Sequence, residues 1–484
     1  MCDSTETAGL NNRPELKFFI GKWGAVIPML FFVFWAIFMS FGLNGASETT
    51  RYLILGAVIG LVLGLFLSKS AWSIYCDAIF TGMSQSVGVV AIVCWLWAGM
   101  FAEVLKAGHL VEGLVWLGEG MGVSSALFVV VTFIASAIFA SAVGTGYGTV
   151  IAFCTIMFPA GLALGSHPLL LLGAILSGAA FGDNLAPVSD TTIVSAVTQD
   201  TDVPGVVRTR FKYAIAGAIP AIVLFAIVSH FMPAQIVHTT MQTPGPLGLI
   251  LLIPFALVVY LALKGNHIIV SLTWGIVTAS ILVVVSGLGT FADIFTLDVA
   301  DSARAGGALL RGIVGYLDMA VLILLIVAAG YIMQAGGALE AIKHWILHRV
   351  KNSVAGAEVS IWGAVAVLNI FITVNTAAEI AAAPFVKEVG KSFKLHPYRR
   401  ANFLDAITSA FGYIFPWSGG VLIGIKTLQE NFGDVITISH TQVWPFVFHG
   451  WLLVAVMLIA ALTGFGRRYE GKNGEELKER PADA

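Results

Sequence analysis

Residues 25–41 carry no charge and almost no polarity. A stretch of that length and character is at home as a helix crossing the hydrocarbon of a bilayer. Comparable runs recur along the chain, giving expected spans near 24–44, 52–70, 87–106, 168–190 and 213–232, then 246–264, 268–289, 320–336, 402–424 and 444–464. Composition closes the other classes. Of the 484 residues, 58% are hydrophobic and 11% charged, more apolar surface than a water-soluble domain can bury. The chain reads as an all-α polytopic membrane protein, with the lipid bilayer as its first partner. A net charge of −2 offers a nucleic acid nothing to bind. Cys2, Cys76, Cys94 and Cys154 are scattered without metal-ligand spacing and read as small core residues. The run at 25–41 is too long for a signal-peptide core and is followed by a poor cleavage site, so it reads as a spanning helix.

One stretch breaks the apolar pattern. SGAAFGDNLAPVSDTT, residues 177–192, lies between apolar segments at 169–176 and 214–228, yet holds two aspartates, an asparagine, two serines, two threonines and a proline. Ionisable groups at membrane depth are costly and usually functional. Pro187 lacks a backbone donor and clashes with the turn before it, so a helix entering at Leu176 is expected to break between Gly182 and Ser189. Irregular backbone at that depth needs protein or a water-filled cavity around it. Asp183 and Asn184 then offer oxygens at the end of one half-helix. Ser189 and Asp190 cap the next, with Thr191 and Thr192 in its first turn. So many hard oxygens suit a small cation, with Asp183 and Asp190 as its charged ligands. Two carboxylates in one dehydrated site cannot both ionise cheaply. A cation or a proton can compensate the same charge, but not both at once, and with alternating access this is antiport. The plainer reading is that these residues only cap a kinked helix.

Features also recur about 230 positions apart: Ile27-Pro28 with Ile253-Pro254, Gly82 with Gly312, Ala98-Gly99 with Ala329-Gly330, His167-Pro168 with His396-Pro397, and Phe181-Gly182 with Phe411-Gly412. Ordered matches at one offset argue for duplication. Each half holds five spans and an apolar pair, 123–142 with 148–164 and 356–374 with 379–394, read as one re-entrant hairpin per half. An odd span count makes the second copy inverted, with broken helices meeting at the midplane, the architecture of secondary transporters. The expected divisions are an N-terminal tail (1–23), a first repeat (24–235), a second repeat (246–465) and a disordered tail (466–484). The second copy of the polar stretch, LDAITSAFGYIFPWSGG at 404–420, is broken at Pro416. It adds Asp405, Thr408 and Ser409 to the ion-binding set and has Tyr413 where the first copy has Asp183. The hairpin tips join the site through Gly144, Thr145, Gly146 and Thr149 in the first half. Thr373, Asn375, Thr376 and Glu379 do so in the second. Glycines let backbone approach a ligand closely, and Glu379 reads either as a cavity wall or as a helix cap.

Basic residues at 13–22, 208–212, 264, 343–351, 387–400 and 467–468 are expected to face the cytoplasm and the uncharged 232–247 loop the outside, which puts both termini in the cytoplasm. Arg208, Arg210 and Lys212 read as determinants of that topology. Glu103 and Asp318 read as interfacial, His167 and His396 as turn residues, and Trp417 as packing.

At GTGYGT (144–149), FGDNLAPVSDTT (181–192) and FPWSGG (415–420) the sequence resembles the NhaC family of sodium/proton antiporters, over nearly the whole membrane portion. The resemblance implies Na+ and H+ as transported ions, no cofactor, a bacterial cytoplasmic membrane, and a homodimer in which one unit moves past a fixed scaffold. It places cation handling on Asp183, Ser189, Asp190, Thr191 and Thr192, with Asp405 contributing. Asn184 and Ala186 stand where the family often has lysine and serine, and the family also contains carriers of organic acids and amino acids. A sodium-coupled carrier of a small organic or amino acid is therefore the alternative function. A membrane aspartyl protease would need a glycine at Ala180, ahead of Gly182 and Asp183, and no ATP-binding loop is present. Neither an enzyme nor a primary pump is expected.

Overall fold

The computed structural model describes residues 16–42, 49–187, 189–232, 245–296, 306–338, 341, 353–372, 375–432, 438–472 and 474–481. Thr373, most of the uncharged outer loop and Cys2 therefore lie outside the described residues. The first half contributes α1 (Ile27–Gly42), α2 (Thr49–Leu67), α3 (Trp72–Met83), α4 (Ser86–Ala107), α5 (Leu110–Gly120), α6 (Ser125–Val143), α7 (Gly146–Ala163), α8 (Pro168–Leu185), α9 (Asp190–Thr198) and α10 (Val203–Phe231). The second contributes α11 (Leu252–Leu263), α12 (Ile268–Val285), α13 (Gly307–Val314), α14 (Leu317–Ala335), α15 (Val354–Phe371), α16 (Asn375–Ser392), α17 (Pro397–Phe411), α18 (Gly419–Phe432) and α19 (Phe448–Thr463). Every expected span coincides with a helix, whole or broken. The short helices α3, α5 and α13 had no counterpart in the sequence reading.

Among the described residues, 10 helices are long and apolar enough to cross a membrane, or 11 with the bent pair at 440–463. The chain is a multi-pass membrane protein. Its polarity runs inside out relative to a water-soluble fold. Phe34, Val223, Trp274, Ile281 and Leu462 are exposed, whereas Ser177, Asp183, Arg210, Glu358, Arg399 and Asp405 are buried. Both polar stretches are broken where proline interrupts them. α8 stops at Leu185, Ala186 is extended (φ −69°, ψ 123°) and α9 starts at Asp190. In the second half α17 stops at Phe411, α18 starts at Gly419, and Pro416 lies between. His167 and His396 begin α8 and α17 as the turn reading expects. Each ring Nδ1 accepts the N–H two residues on, at 3.2 and 3.3 Å.

Packing between the halves is reciprocal. α3 lies on α14 and α4 on α13; α9 lies on α16 and α7 on α18; α8 meets α19 and α10 meets α17. The hairpin arms α6 and α7 are 19 and 18 residues long, about 27–29 Å at the helical rise. Either arm is thus long enough to cross by itself, and length alone does not make the hairpin re-entrant.

The described part of the tail expected to be disordered is ordered instead. Tyr469–Glu470 pairs antiparallel with Glu476–Leu477, and Tyr469 bridges to Leu395. Part of its mixed charge, which looked like solvation, is spent on partners. Arg467 donates to Glu358 at 2.7 Å, and Glu470 accepts from Arg400 at 3.2 Å. Glu358, fully buried, also takes Arg399 through two nitrogens at 2.8 and 3.1 Å. Breaking a buried pair by removing one member costs about 3–5 kcal/mol. Glu358→Gln is therefore expected to lower the thermal midpoint of the detergent-purified protein by several degrees and to expose the tail to protease. An unchanged melting curve would show the tail to be held by other contacts.

Candidate functional site

Ser189 occupies the N-cap position of α9 (φ −67°, ψ 138°) but makes no side-chain cap, contrary to expectation. Its hydroxyl turns back and donates to Asp183 Oδ1 at 2.8 Å, touching Thr191 Oγ1 at 3.0 Å. The other oxygen, Asp183 Oδ2, accepts from the Tyr413 hydroxyl at 3.1 Å and from Asn375 Nδ2 at 3.3 Å. Asn375 is itself oriented by the Tyr147 hydroxyl, which donates to its Oδ1 at 3.0 Å. One carboxylate thus gathers neutral donors from the first break, the second hairpin tip and the second break. These approaches leave no room for a side chain. A Cβ on Gly146 would lie 1.8 Å from the Tyr413 oxygen, and one on Gly412 would lie 1.8 Å from Asn375 Oδ1. Asp190 accepts from the Thr376 hydroxyl. Among the described residues neither aspartate has a lysine or arginine partner. Both face a cavity of about 590 Å³, walled also by Gly144, Thr145, Thr191 and Ile193. The cavity reaches the α11–α12 loop at Gly265–His267.

Asp405 sits behind this cavity in a different environment. Arg210, fully buried, pairs with Asp405 Oδ2. The same guanidinium donates to the Asn184 carbonyl at 2.8 Å, the Ser195 hydroxyl at 3.1 Å and Asn402 Oδ1 at 3.3 Å. Thr192 and Ser409 donate to Asp405 at 3.2 and 2.5 Å. Asp405 is therefore already neutralised by a resident cation.

Residues 5–230 and 234–464 match the family described as the Na+/H+ antiporter family. The chain belongs to that family. It is 29% identical over 64% of its length to the malate-2H(+)/Na(+)-lactate antiporter of Bacillus subtilis, covering 69% of that protein. It is 24% identical over 86% of its length to the arginine/ornithine antiporter ArcD of Halobacterium salinarum, covering 87% of it. To the Na(+)/H(+) antiporter NhaC of Alkalihalophilus pseudofirmus it is 27% identical over 54% of its length, covering 58%. The chain is a transporter.

In this member of the antiporter family the expected site residues fall into separate places. Asp183, Asp190, Thr191, Gly144, Thr145, Gly146, Asn375 and Thr376 meet at the cavity. Asn184, Thr192, Asp405 and Ser409 belong to the Arg210 cluster. Thr149 donates to the carbonyl of Thr145 one turn back, and Thr408 to that of Leu404 while accepting from Asn369; neither lines the cavity. Glu379 is fully buried and does not line the cavity either. Arg210 corrects the topology reading. Val206, Arg210, Tyr213, Ala214 and Gly217 form the buried stripe of α10, whereas Arg208 is exposed. Helical spacing from Val206 and Ala214 carried that signal. Tyr147 and Tyr413, donors to the site, were missed as such. Replacing Arg210 by Met leaves Asp405 buried and unpaired and is expected to cost about 3–5 kcal/mol. The double variant Arg210→Met/Asp405→Leu should recover most of that loss in detergent melts. Simple addition of the two single losses would contradict the pairing.

Proposed function

We propose that the protein exchanges Na+ for H+ across the bacterial cytoplasmic membrane, with the cation held between Asp183 and Asp190 at the cavity floor. The observation that carries this reading is a charge imbalance. Two carboxylates share one cavity with only neutral donors, while the nearby guanidinium is spent on Asp405. Such a site lacks a positive charge, and a small cation or a proton supplies it. Thr191, Ser189, Thr145 and Thr376 offer further oxygens to complete the coordination, with Asn375 and Tyr413 as donors that hold the carboxylate in place. No covalent step is involved.

The two halves act as inverted repeats, a reading supported by the reciprocal packing of α9 on α16 and α7 on α18. Each hairpin is re-entrant on this reading, because its tip meets a helix break partway through a span. By the charge rule the Lys264 end is cytoplasmic, so the cavity opens inward and both termini are cytoplasmic. The same family reading carries a homodimer. A cavity of 590 Å³ is larger than a bare Na+ fills, which supports a second reading: sodium-coupled movement of a small organic or amino acid through the same cavity.

Proteoliposomes holding a pH dye separate the two. Under an imposed Na+ gradient, wild-type protein is expected to move protons, and Asp190→Asn, checked for folding by its melting curve, to lose nearly all of that flux. Accumulation of arginine or malate with no proton movement would replace the exchanger by the solute carrier. Normal exchange by Asp190→Asn would move the site elsewhere.

A further inference from the structure

Four acids are buried among the described residues: Asp183, Glu358, Glu379 and Asp405. Three have donors or guanidinium partners. Glu379 has none: it is 0% exposed, and neither carboxyl oxygen has a hydrogen-bond partner. It lies in α16, one turn beyond the second hairpin tip, with α9 and α17 packed against that helix. The charged groups that face it are Asp405 from α17, Arg210 from α10, Asp190 from α9 and Asp183 from α8. Three of these four are acids, and the one base is committed to Asp405.

An ionised carboxylate enclosed without a donor pays a desolvation cost that no hydrogen bond returns, and the one base near it is already answered by Asp405. The neutral acid avoids that cost. A structural carboxylate would be expected to recruit donors as Glu358 does from Arg399 and Arg467. Glu379 instead sits where a change in its charge is felt by both cavity aspartates.

We propose that Glu379 is a proton-binding site separate from the cation site, loaded while the Asp183–Asp190 pair is empty and unloaded when a cation occupies it. This rests on the exchange reading above. The step balances as Glu379–COOH giving Glu379–COO− and H+, the O–H bond breaking and its electron pair staying on the carboxylate. The arriving Na+ replaces the positive charge that leaves. A cation beside Asp190 and Asp183 raises the local potential and disfavours the proton on Glu379. By reciprocity the proton on Glu379 weakens the cation. Antagonism of this kind needs no shared atom.

The test is Na+-induced proton release from the full-length purified chain in weakly buffered detergent, read with a pH dye against a choline chloride control. Wild type is expected to release protons, and Glu379→Gln about one fewer per chain. Glu379→Asp keeps a titratable group in an altered position and is expected to shift the pH midpoint of release by about half a unit or more. Release from Glu379→Gln equal to wild type, or an unmoved midpoint in Glu379→Asp, overturns the inference and leaves the exchange reading standing. No release from wild type removes the exchange reading, and this inference falls with it.

Discussion

A guanidinium sealed inside a bilayer-spanning bundle is tolerable only if every donor is used and its charge is answered. Arg210 meets that condition with Asp405, and much of the site follows from it. Asn184 stands in the last turn of α8, where carbonyls lack a partner within the helix. Arg210 Nη1 takes the Asn184 carbonyl at 2.8 Å. The same group reaches Ser195 in α9 and Asn402 in α17. One side chain from α10 thus fastens both sides of the first break to the second broken helix. Because Asp405 consumes its charge, Asp183 and Asp190 are left without a built-in counter-ion. A cation site can then exist beside an arginine without being cancelled by it.

The duplicated reading gives the asymmetry of the acids a physical sense. Tyr413 stands 230 positions after Asp183, and the two touch; Asn375 stands 228 after Tyr147, and they touch as well. Positions related by a two-fold meet only near its axis. If the second copy also carried aspartate at 413, two carboxylates would be forced together at hydrogen-bond distance. A tyrosine hydroxyl there turns repulsion into donation, and on the duplicated reading only one copy carries the acid.

The helices and the first break were legible because they rest on local chemistry. Long uncharged runs in lipid close their own backbone bonds as helices, and Pro187, set among glycine and polar residues, marks a break, whereas Pro159, Pro220 and Pro384 are carried inside continuous helices. The pairing of the breaks with each other was legible through the offset. What escaped depends on where side chains point. Arg210 sits two residues from a truly exposed Arg208, and charge alone does not separate them. Thr149 belongs to the glycine-rich tip, yet its hydroxyl bonds back along its own helix. Residues 467–472 and 474–481 have the composition of a solvated tail. Their order comes from Glu358 and Arg400, carried on α15 and α17 more than sixty positions away, which no local pattern reveals.

The donors on Asp183 bear on how occupancy becomes motion. Ser189, Asn375 and Tyr413 belong to the first break, the second hairpin tip and the second break. On the proposed reading, a cation entering the carboxylate's coordination sphere competes with those same donors for its lone pairs. Any donor it displaces releases one of these elements from Asp183. Protonating the carboxylate likewise removes an acceptor site and changes which donors it holds. Binding then biases the position of the tip and of α18 through differential contacts, the only currency in which a ligand can shift a conformational equilibrium. Asp190, which accepts from the Thr376 hydroxyl and lines the cavity, remains accessible to an ion from solution. A site built from one well-donated and one open carboxylate can therefore admit an ion at one aspartate and register its arrival at the other.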